Sequence, residues 1–521
     1  MAITKVIGMI YKVPLYNILG DEGTAHFNIT YTIYNLLLTI STAGVPVALS
    51  RLISAAHSTG RDRQAGRIYS VAMPSFIGIG IICAAVMFIW AQGLANLIGD
   101  PEIPGGIRCL APAVFFCCVI AVYRGYSQGH EDMFPTAISQ IMEVLCKLVF
   151  GLAIAWLLLR RGENTATISA GAIVGVTIGL MLSVPIMAYY KRRADKTNAY
   201  HRTGENLETL SRSETFLQIF KTSIPITLGS SVLNVITLVD TKLVLLRLQT
   251  GAGFDYLNAK ILYGAYSKAL TLFNLPGAFI VPITVSVVPA IAAALANRDR
   301  RTARRTMTSA MKVTNLIGLP AGAGLCVLSY SIYTSFYWGS HESGPMLLAL
   351  AGIASYFVCL QLITTAMLQA CGYEQLSMLT LPIGGVVKVI ATWLLVGNPR
   401  IGIFGAPLST LICYLSISAF NIFFICRKVA ARPNFRIAFV IPVLCTAVMT
   451  AAAGACYGLG MKLAGGWFSA DRLHMLVIMG LCIVIAVVVY GVLIIALGGI
   501  TKEDMELVPK GERIAKLLKL R

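Results

Sequence analysis

Long apolar runs recur from one end of the chain to the other, separated by short polar or basic stretches. Fourteen stand out, at roughly 3–20, 25–56, 68–98, 106–127, 133–159, 166–190, 215–247, 260–296, 306–336, 345–371, 375–397, 402–426, 436–461 and 474–499. A helix needs about 20 mostly apolar residues to cross a bilayer. In lipid the backbone must satisfy its own hydrogen bonds, which leaves helices or a closed barrel. These runs are too long and too continuously apolar for the alternating strands of a barrel. The pattern predicts an all-α integral membrane protein with 14 transmembrane helices. Several runs exceed 25 residues, which implies tilt or extension beyond the bilayer. Residues 1–20 lack a small-residue cleavage site and read as a short first span rather than a removable leader.

The pattern also repeats. Val45-Pro46 with Ser50, then Arg61-Asp62-Arg63 and Arg67, is echoed by Val281-Pro282 with Ser286, then Arg298-Asp299-Arg300 and Arg304. Gly129-His130-Glu131 with Pro135 and Lys147 is echoed by Gly372-Tyr373-Glu374 with Pro382 and Lys388. The offset, about 240 residues, maps spans 1–6 onto spans 7–12. Six is even, so the halves are expected to be parallel repeats about an axis along the membrane normal. The expected organisation is an N-lobe at 1–190, a cytoplasmic linker at 191–214 and a C-lobe at 215–427. Two extra C-terminal helices follow at 428–501, then a basic amphipathic tail at 502–521 lying on the inner membrane surface. Two six-helix lobes around a cavity form a transporter plan, with substrate between lobes that rock to expose it to each side.

Composition agrees with this and adds a direction. Only 12% of the 521 residues are charged and 57% are hydrophobic, against about 25% charged in a soluble protein. With both termini cytoplasmic, inner segments hold 25 of the 42 Lys and Arg, outer loops hold 8 and the spans hold 9. That bias fixes the orientation expected of a multi-pass protein in a bacterial cytoplasmic membrane. The net charge of +19 then reflects topology and attraction to anionic lipids; nucleic acid is excluded as a partner. The 13 cysteines form no Cys-x-x-Cys pair and sit mostly in apolar runs, where they act as small apolar residues. The six histidines are scattered without a His-Glu-x-x-His motif, so no metal site is expected.

Several motifs carry a family resemblance. They are Lys5-Val6-Ile7-Gly8, Tyr11-Lys12-Val13-Pro14, Leu19-Gly20-Asp21-Glu22-Gly23, Ala43-Gly44-Val45-Pro46, Arg124-Gly125-Tyr126-Ser127-Gln128-Gly129 and Asn274-Leu275-Pro276. In this order the chain resembles the multidrug/oligosaccharidyl-lipid/polysaccharide exporter superfamily. Within it, the likeness is to the branch of stage V sporulation protein B-like polysaccharide transporters and MurJ-type lipid II flippases. The resemblance implies a lipid-linked glycan as cargo, moved from the inner to the outer leaflet. It also implies cations in the first span, which Lys5 and Lys12 supply. An arginine that the resemblance leads one to expect in the second span is replaced by Leu36-Leu37-Leu38.

A charge at membrane depth is costly and normally faces a cavity or a partner. Lys5 and Lys12 lie seven apart and share a helical face, forming a cationic wall for a lipid pyrophosphate, or else snorkelling to the inner surface. Glu143 and Lys147 stand at i, i+4, as a mutual ion pair or a cavity-lining charge relay. Asp240 and Lys242 lie two apart, on different faces. Asp240 is a candidate for a coupling cation, Na+ or H+, or for pairing with Lys268. Arg51, Lys221 and Lys312 snorkel. Gly171, Gly175 and Gly179 permit close helix packing. Substrate binding is assigned to Lys5, Lys12 and Lys268, and coupling or cavity charge to Asp240, Glu143 and Lys147.

Three functions compete. A lipid-linked oligosaccharide flippase suits nine Lys and Arg within the spans against two clear acids, Glu143 and Asp240. A drug–cation antiporter of the same superfamily calls for an acidic, aromatic site. A polyprenol-dependent membrane glycosyltransferase has only Asp21-Glu22 in its favour, and the short outer loops leave little room for an acceptor. The reading is therefore a transporter and not an enzyme. It acts as a monomer with a lipid-linked glycan and membrane lipids as its partners and without a cofactor.

Overall fold

The computed structural model describes residues 2–59, 61–198, 210–467 and 472–499. The tail at 502–521 and residues 199–209 of the central linker lie outside the described residues, as does the side chain of Lys5. Every regular element among the described residues is helical. Thirteen stretches are long and apolar enough to cross a membrane. The exact number of passes is approximate, because the first stretch, Ile10–Ser58, is 49 residues long and interrupted. Large apolar side chains such as Val477, Val487 and Ile89 lie on the outside of the helices, as lipid-facing positions require.

The interruption is local and physical. Helix α1 (Ala2–Thr42) carries Gly20 at φ 67°, ψ −168°, a conformation essentially open only to glycine. Tyr16 Oη donates to Asn28 Oδ1 at 3.0 Å. Residues 12 apart on a straight helix stand about 18 Å apart, so α1 folds back on itself at Gly20. The span expected at 3–20 is its first limb, and the span expected at 25–56 is its second limb continued, past a turn at 43–44, by the next helix, Val45–Ser58.

The chain divides into two compact units, 3–246 and 247–521. The first holds α1, α2 (Val45–Ser58), α3 (Asp62–Ile89), the short α4 (Ala91–Ile98), α5 (Pro104–Gly129), α6 (Phe134–Cys146), a π-helical turn (Lys147–Gly151), α7 (Leu152–Arg160) and α8 (Thr165–Asn198). It also holds most of α9 (Arg212–Thr250), where Thr227 Oγ1 accepts from Gly44 N and Asn234 Nδ2 donates to Thr39 Oγ1. The second unit holds α10 (Tyr256–Phe273), α11 (Leu275–Ala296), α12 (Arg300–Val327), the short α13 (Ser329–Phe336), α14 (Gly344–Ala370), α15 (Glu374–Val396), α16 (Gly405–Lys428), α17 (Phe435–Trp467) and α18 (Arg472–Ala496).

The repeat seen in the sequence recurs as packing. In the first unit α5 packs against α2, α3 and α8, and a short helix follows α3. In the second, α14 packs against α11, α12 and α16, and a short helix follows α12. Helices α17 and α18 pack on one another; α17 packs on α12, and α18 packs on α13 and donates from Tyr490 Oη to the Leu316 carbonyl of α12. A core of Ile280, Val287, Met307, Met311, Ile363 and Met367 fills the junction of α11, α12 and α14.

Candidate functional site

Two glycine stripes place the charged side chains of the first unit. On α8, Gly175 lies against the backbone of Gly151, and a Cβ at Gly179 would stand 3.0 Å from the Glu143 carbonyl oxygen. The close approach expected of Gly171, Gly175 and Gly179 is therefore made against α6, the π turn and α7, the segment bearing Glu143 and Lys147. On α5, Cβ atoms at Gly125 and Gly129 would stand 2.7 Å from the Cβ atoms of Leu49 and Ile53 on α2. That contact seats the helix carrying Arg124. Small residues let helix backbones approach closely where lipid supplies no hydrophobic drive.

Between these helices lies a cavity of about 300 Å³. Tyr31, Tyr34 and Asn35 of α1 line it together with Arg124 of α5, Glu143 of α6 and Lys147 at the start of the π turn. π turns are rare and often mark functional positions. Lys147 Nζ donates to Glu143 Oε1 at 2.7 Å, and Arg124 Nη2 stands 3.8 Å from Glu143 Oε2. Arg124 Nε donates to Ser139 Oγ at 3.0 Å, which fixes the guanidinium, while its buried Nη2 makes no hydrogen bond. Lys147 Nζ also lies 5.9 Å from the centre of the Tyr31 ring, and Tyr34 Oη lies 3.4 Å from Cys117 Sγ.

One carboxylate thus serves two cations. The side chains of Arg124, Glu143 and Lys147 are 20%, 21% and 17% exposed, so all three are open to the cavity without being solvated like surface groups. The arrangement leaves a net positive charge facing a half-open space with both polar and apolar walls. Such a space suits a phosphate-bearing group. Arginine offers phosphate a planar fork of donors, and lysine offers a point charge.

The expected pairing of Glu143 with Lys147 is present, and both line the cavity. Arg124 completes the cluster; in the sequence it stood out only as part of the motif from Arg124 to Gly129. It stands on α5, 15 residues before Ser139 and 19 before Glu143, with no helical periodicity linking them. Lys12 is half-buried, with Nζ 5.9 Å from the Tyr16 ring centre, and does not line this cavity. Asp240 is buried on α9 while Lys242 is exposed, as the two-residue spacing requires. Lys268 is fully buried on α10 in the second unit, with Nζ 5.7 Å from the Tyr337 ring centre. Lys260 is also buried within α10, with Nζ 4.6 Å from the Tyr256 ring centre.

The two helical units built on one repeat have the all-α membrane plan expected from the likeness to the multidrug/oligosaccharidyl-lipid/polysaccharide exporter superfamily, and the comparisons with known proteins support that likeness. The chain belongs to the polysaccharide biosynthesis protein family, whose model matches residues 1–295. It is 26% identical over 520 residues to the uncharacterized membrane protein YabM of Bacillus subtilis (strain 168), covering 100% of this chain and 94% of that one. Over 407 residues it is 24% identical to the lipid II flippase MurJ of the same organism, covering 74% of each. Its fold matches a solved MurJ lipid II flippase in an inward closed conformation, with TM-score 0.68 and 15% identity over 94% of this chain and 96% of that one. It also matches an inward-facing multidrug resistance transporter of the MATE family, with TM-score 0.65 and 15% identity over 83% and 95%. Fold likeness therefore does not separate glycan export from drug export, and the chemistry of the cavity has to.

Proposed function

We propose that this chain is an alternating-access flippase that carries a lipid-linked oligosaccharide from the inner to the outer leaflet of a bacterial cytoplasmic membrane. The cargo is a peptidoglycan precursor such as lipid II, or a related polysaccharide intermediate. The observation carrying this reading is the excess of cation over carboxylate in the cavity formed by Arg124, Glu143 and Lys147. Kinship with a lipid II flippase supports it. A drug–cation antiporter needs the reverse balance.

The cavity is too small for a glycan and suits a pyrophosphate. In this reading the pyrophosphate competes with the Glu143 carboxylate for Arg124 and Lys147. A ligand shifts a conformational equilibrium only through its differential affinity for the two states, and exchange of one anionic partner for another supplies such a difference. Lys12, Lys5 and Lys268 are further cations on the path of the headgroup. Asp240, a buried carboxylate on α9, is the proposed site for a coupling Na+ or H+.

The test uses the full chain reconstituted in vesicles with a fluorescent lipid-linked glycan and, separately, ethidium. Arg124→Gln with Lys147→Gln should slow glycan flipping about tenfold or more, since a hydrogen bond to a charged group contributes roughly 1.5–3 kcal/mol. Ethidium movement should stay at background in both proteins. Normal flipping by the double variant would remove the pyrophosphate from this cavity. Ethidium export by the unmodified chain, without glycan flipping, would favour the antiporter.

A further inference from the structure

A second charged cluster lies in the first unit, away from the cavity and unused by the proposed transport chemistry. It joins the returning limb of α1, just after the Gly20 reversal, to the connection between α4 and α5. His26 is 1% exposed, and its Nδ1 stands 2.8 Å from Oδ2 of Asp100, which is fully buried. On the other side of the ring, His26 Nε2 stands 3.4 Å from Glu102 Oε2 and 3.9 Å from Glu22 Oε1. Asp100 is held in turn, its Oδ1 accepting from Glu102 N at 3.3 Å.

The chemistry of the ring decides what belongs there. An ionised carboxylate is an acceptor only, so the short contact to Asp100 places a proton on Nδ1 and leaves Nε2 as the ring's second, opposite site. That nitrogen faces two more carboxylate oxygens. Nε2 and those two oxygens converge on one point, where either a second ring proton or a bound cation satisfies them. We infer that Glu22, His26 and Glu102 form a binding site for a divalent metal ion of the zinc class, with Asp100 orienting the histidine from behind.

Three features support this assignment. The ligand atoms of Glu22, His26 and Glu102 all lie within 4.8 Å of one another. Bonds of about 2.1 Å in a tetrahedral site separate neighbouring ligand atoms by about 3.4 Å, which is the His26–Glu102 distance. Metal-bound histidines regularly donate their other ring N–H to a carboxylate, which fixes the tautomer and raises the basicity of the ligating nitrogen. One imidazole nitrogen with carboxylate oxygens suits zinc, cobalt or manganese better than calcium or magnesium, which prefer all-oxygen sites. Glu102 is 51% exposed and Glu22 27% exposed, so an ion has a route in although the histidine is buried. Bound there, it would pin the α1 hairpin to the α4–α5 connection. The ligands come from positions 22, 26 and 102, so sequence spacing alone offers no metal motif.

The experiment uses the full chain, free of any affinity tag, in detergent after metal removal. Titration with Co2+ is followed by visible absorption, and Zn2+, Mg2+ and Ca2+ are then tested as competitors. The expected result is one Co2+ per chain with tetrahedral d–d bands, displaced by Zn2+ but not by Mg2+ or Ca2+. Glu102→Gln should weaken binding at least tenfold. Asp100→Asn should weaken it roughly 10–100-fold, as second-shell changes do. Glu102 is half-exposed, so its variant is expected to fold, with the size-exclusion profile as the check. No saturable Co2+ binding, unchanged binding in Glu102→Gln, or preferential displacement by Ca2+ would each overturn the assignment.

Discussion

Glu143 sits between two cations, and the balance at that point can be tested by removing charges one at a time. Loss of one partner from a fully buried ion pair costs about 3–5 kcal/mol, because the remaining charge is left uncompensated. Here the side chains are about one-fifth exposed, so Glu143→Ala should destabilise the chain by roughly 2–3 kcal/mol. Glu143→Ala combined with Lys147→Met removes a like charge and should recover part of that loss. Apparent melting in detergent checks both; a double variant less stable than Glu143→Ala would mean that the carboxylate does not hold the cations together. The Glu143–Lys147 half of this cluster was legible in the sequence because i, i+4 spacing places two side chains on one helical face. Arg124 was not. It reaches Glu143 from another helix, a relation set by packing, and near a span end an arginine reads as an inner-loop charge. Tyr31 and Tyr34 were hidden for a similar reason, since an aromatic residue in an apolar run looks like any lipid-facing or core position.

At the level of elements, backbone conformation separates what pattern predicts from what contacts impose. The division between the first two spans was visible as a polar break at 21–24, and the structure realises it as a reversal within α1 at Gly20. Gly20→Ala places a Cβ in a region that only glycine occupies readily and should cost about 1–3 kcal/mol. Gly8→Ala is the control, because Gly8 lies in regular helix with nothing within 4 Å of an added Cβ and alanine is the better helix former by about 1 kcal/mol. Equal melting temperatures for the two variants would show that the chain does not need the Gly20 geometry. The π turn at Lys147–Gly151 was not legible, because nothing in its composition differs from ordinary helix. It occurs where Gly151 meets Gly175 and where an added Cβ would stand 3.0 Å from Tyr11 Oη, so its causes come from three different helices.

For the whole molecule, the repeat was the most legible feature, because corresponding motifs kept their order and spacing across about 240 residues and the packing pairs recur with them. Orientation rests on the distribution of cations, an expected 25 inner against 8 outer Lys and Arg. The sharpest reporter is the stretch 298–305, the turn before α12 and its first residues, which holds five arginines. It is also structurally defined: Asp299 Oδ1 accepts from Arg301 N and Thr302 N at 3.1 and 3.0 Å, capping the start of α12. Bonds from the Thr302 hydroxyl and amide hold the Asp299 carboxyl below its ordinary range, so the cap persists at neutral pH and weakens only as pH falls through that lowered value. Moving arginines through a bilayer costs about 2.5–3.5 kcal/mol each at its centre, so five arginines this close together should stay on the cytoplasmic side. A single cysteine at Thr302, in a background with all 13 native cysteines replaced, should resist an impermeant maleimide added outside intact cells and react after the membrane is opened. A cysteine at His341, exposed just before α14, should behave oppositely. Labelling of position 302 from outside would invert the orientation, and with it the direction assigned to glycan movement.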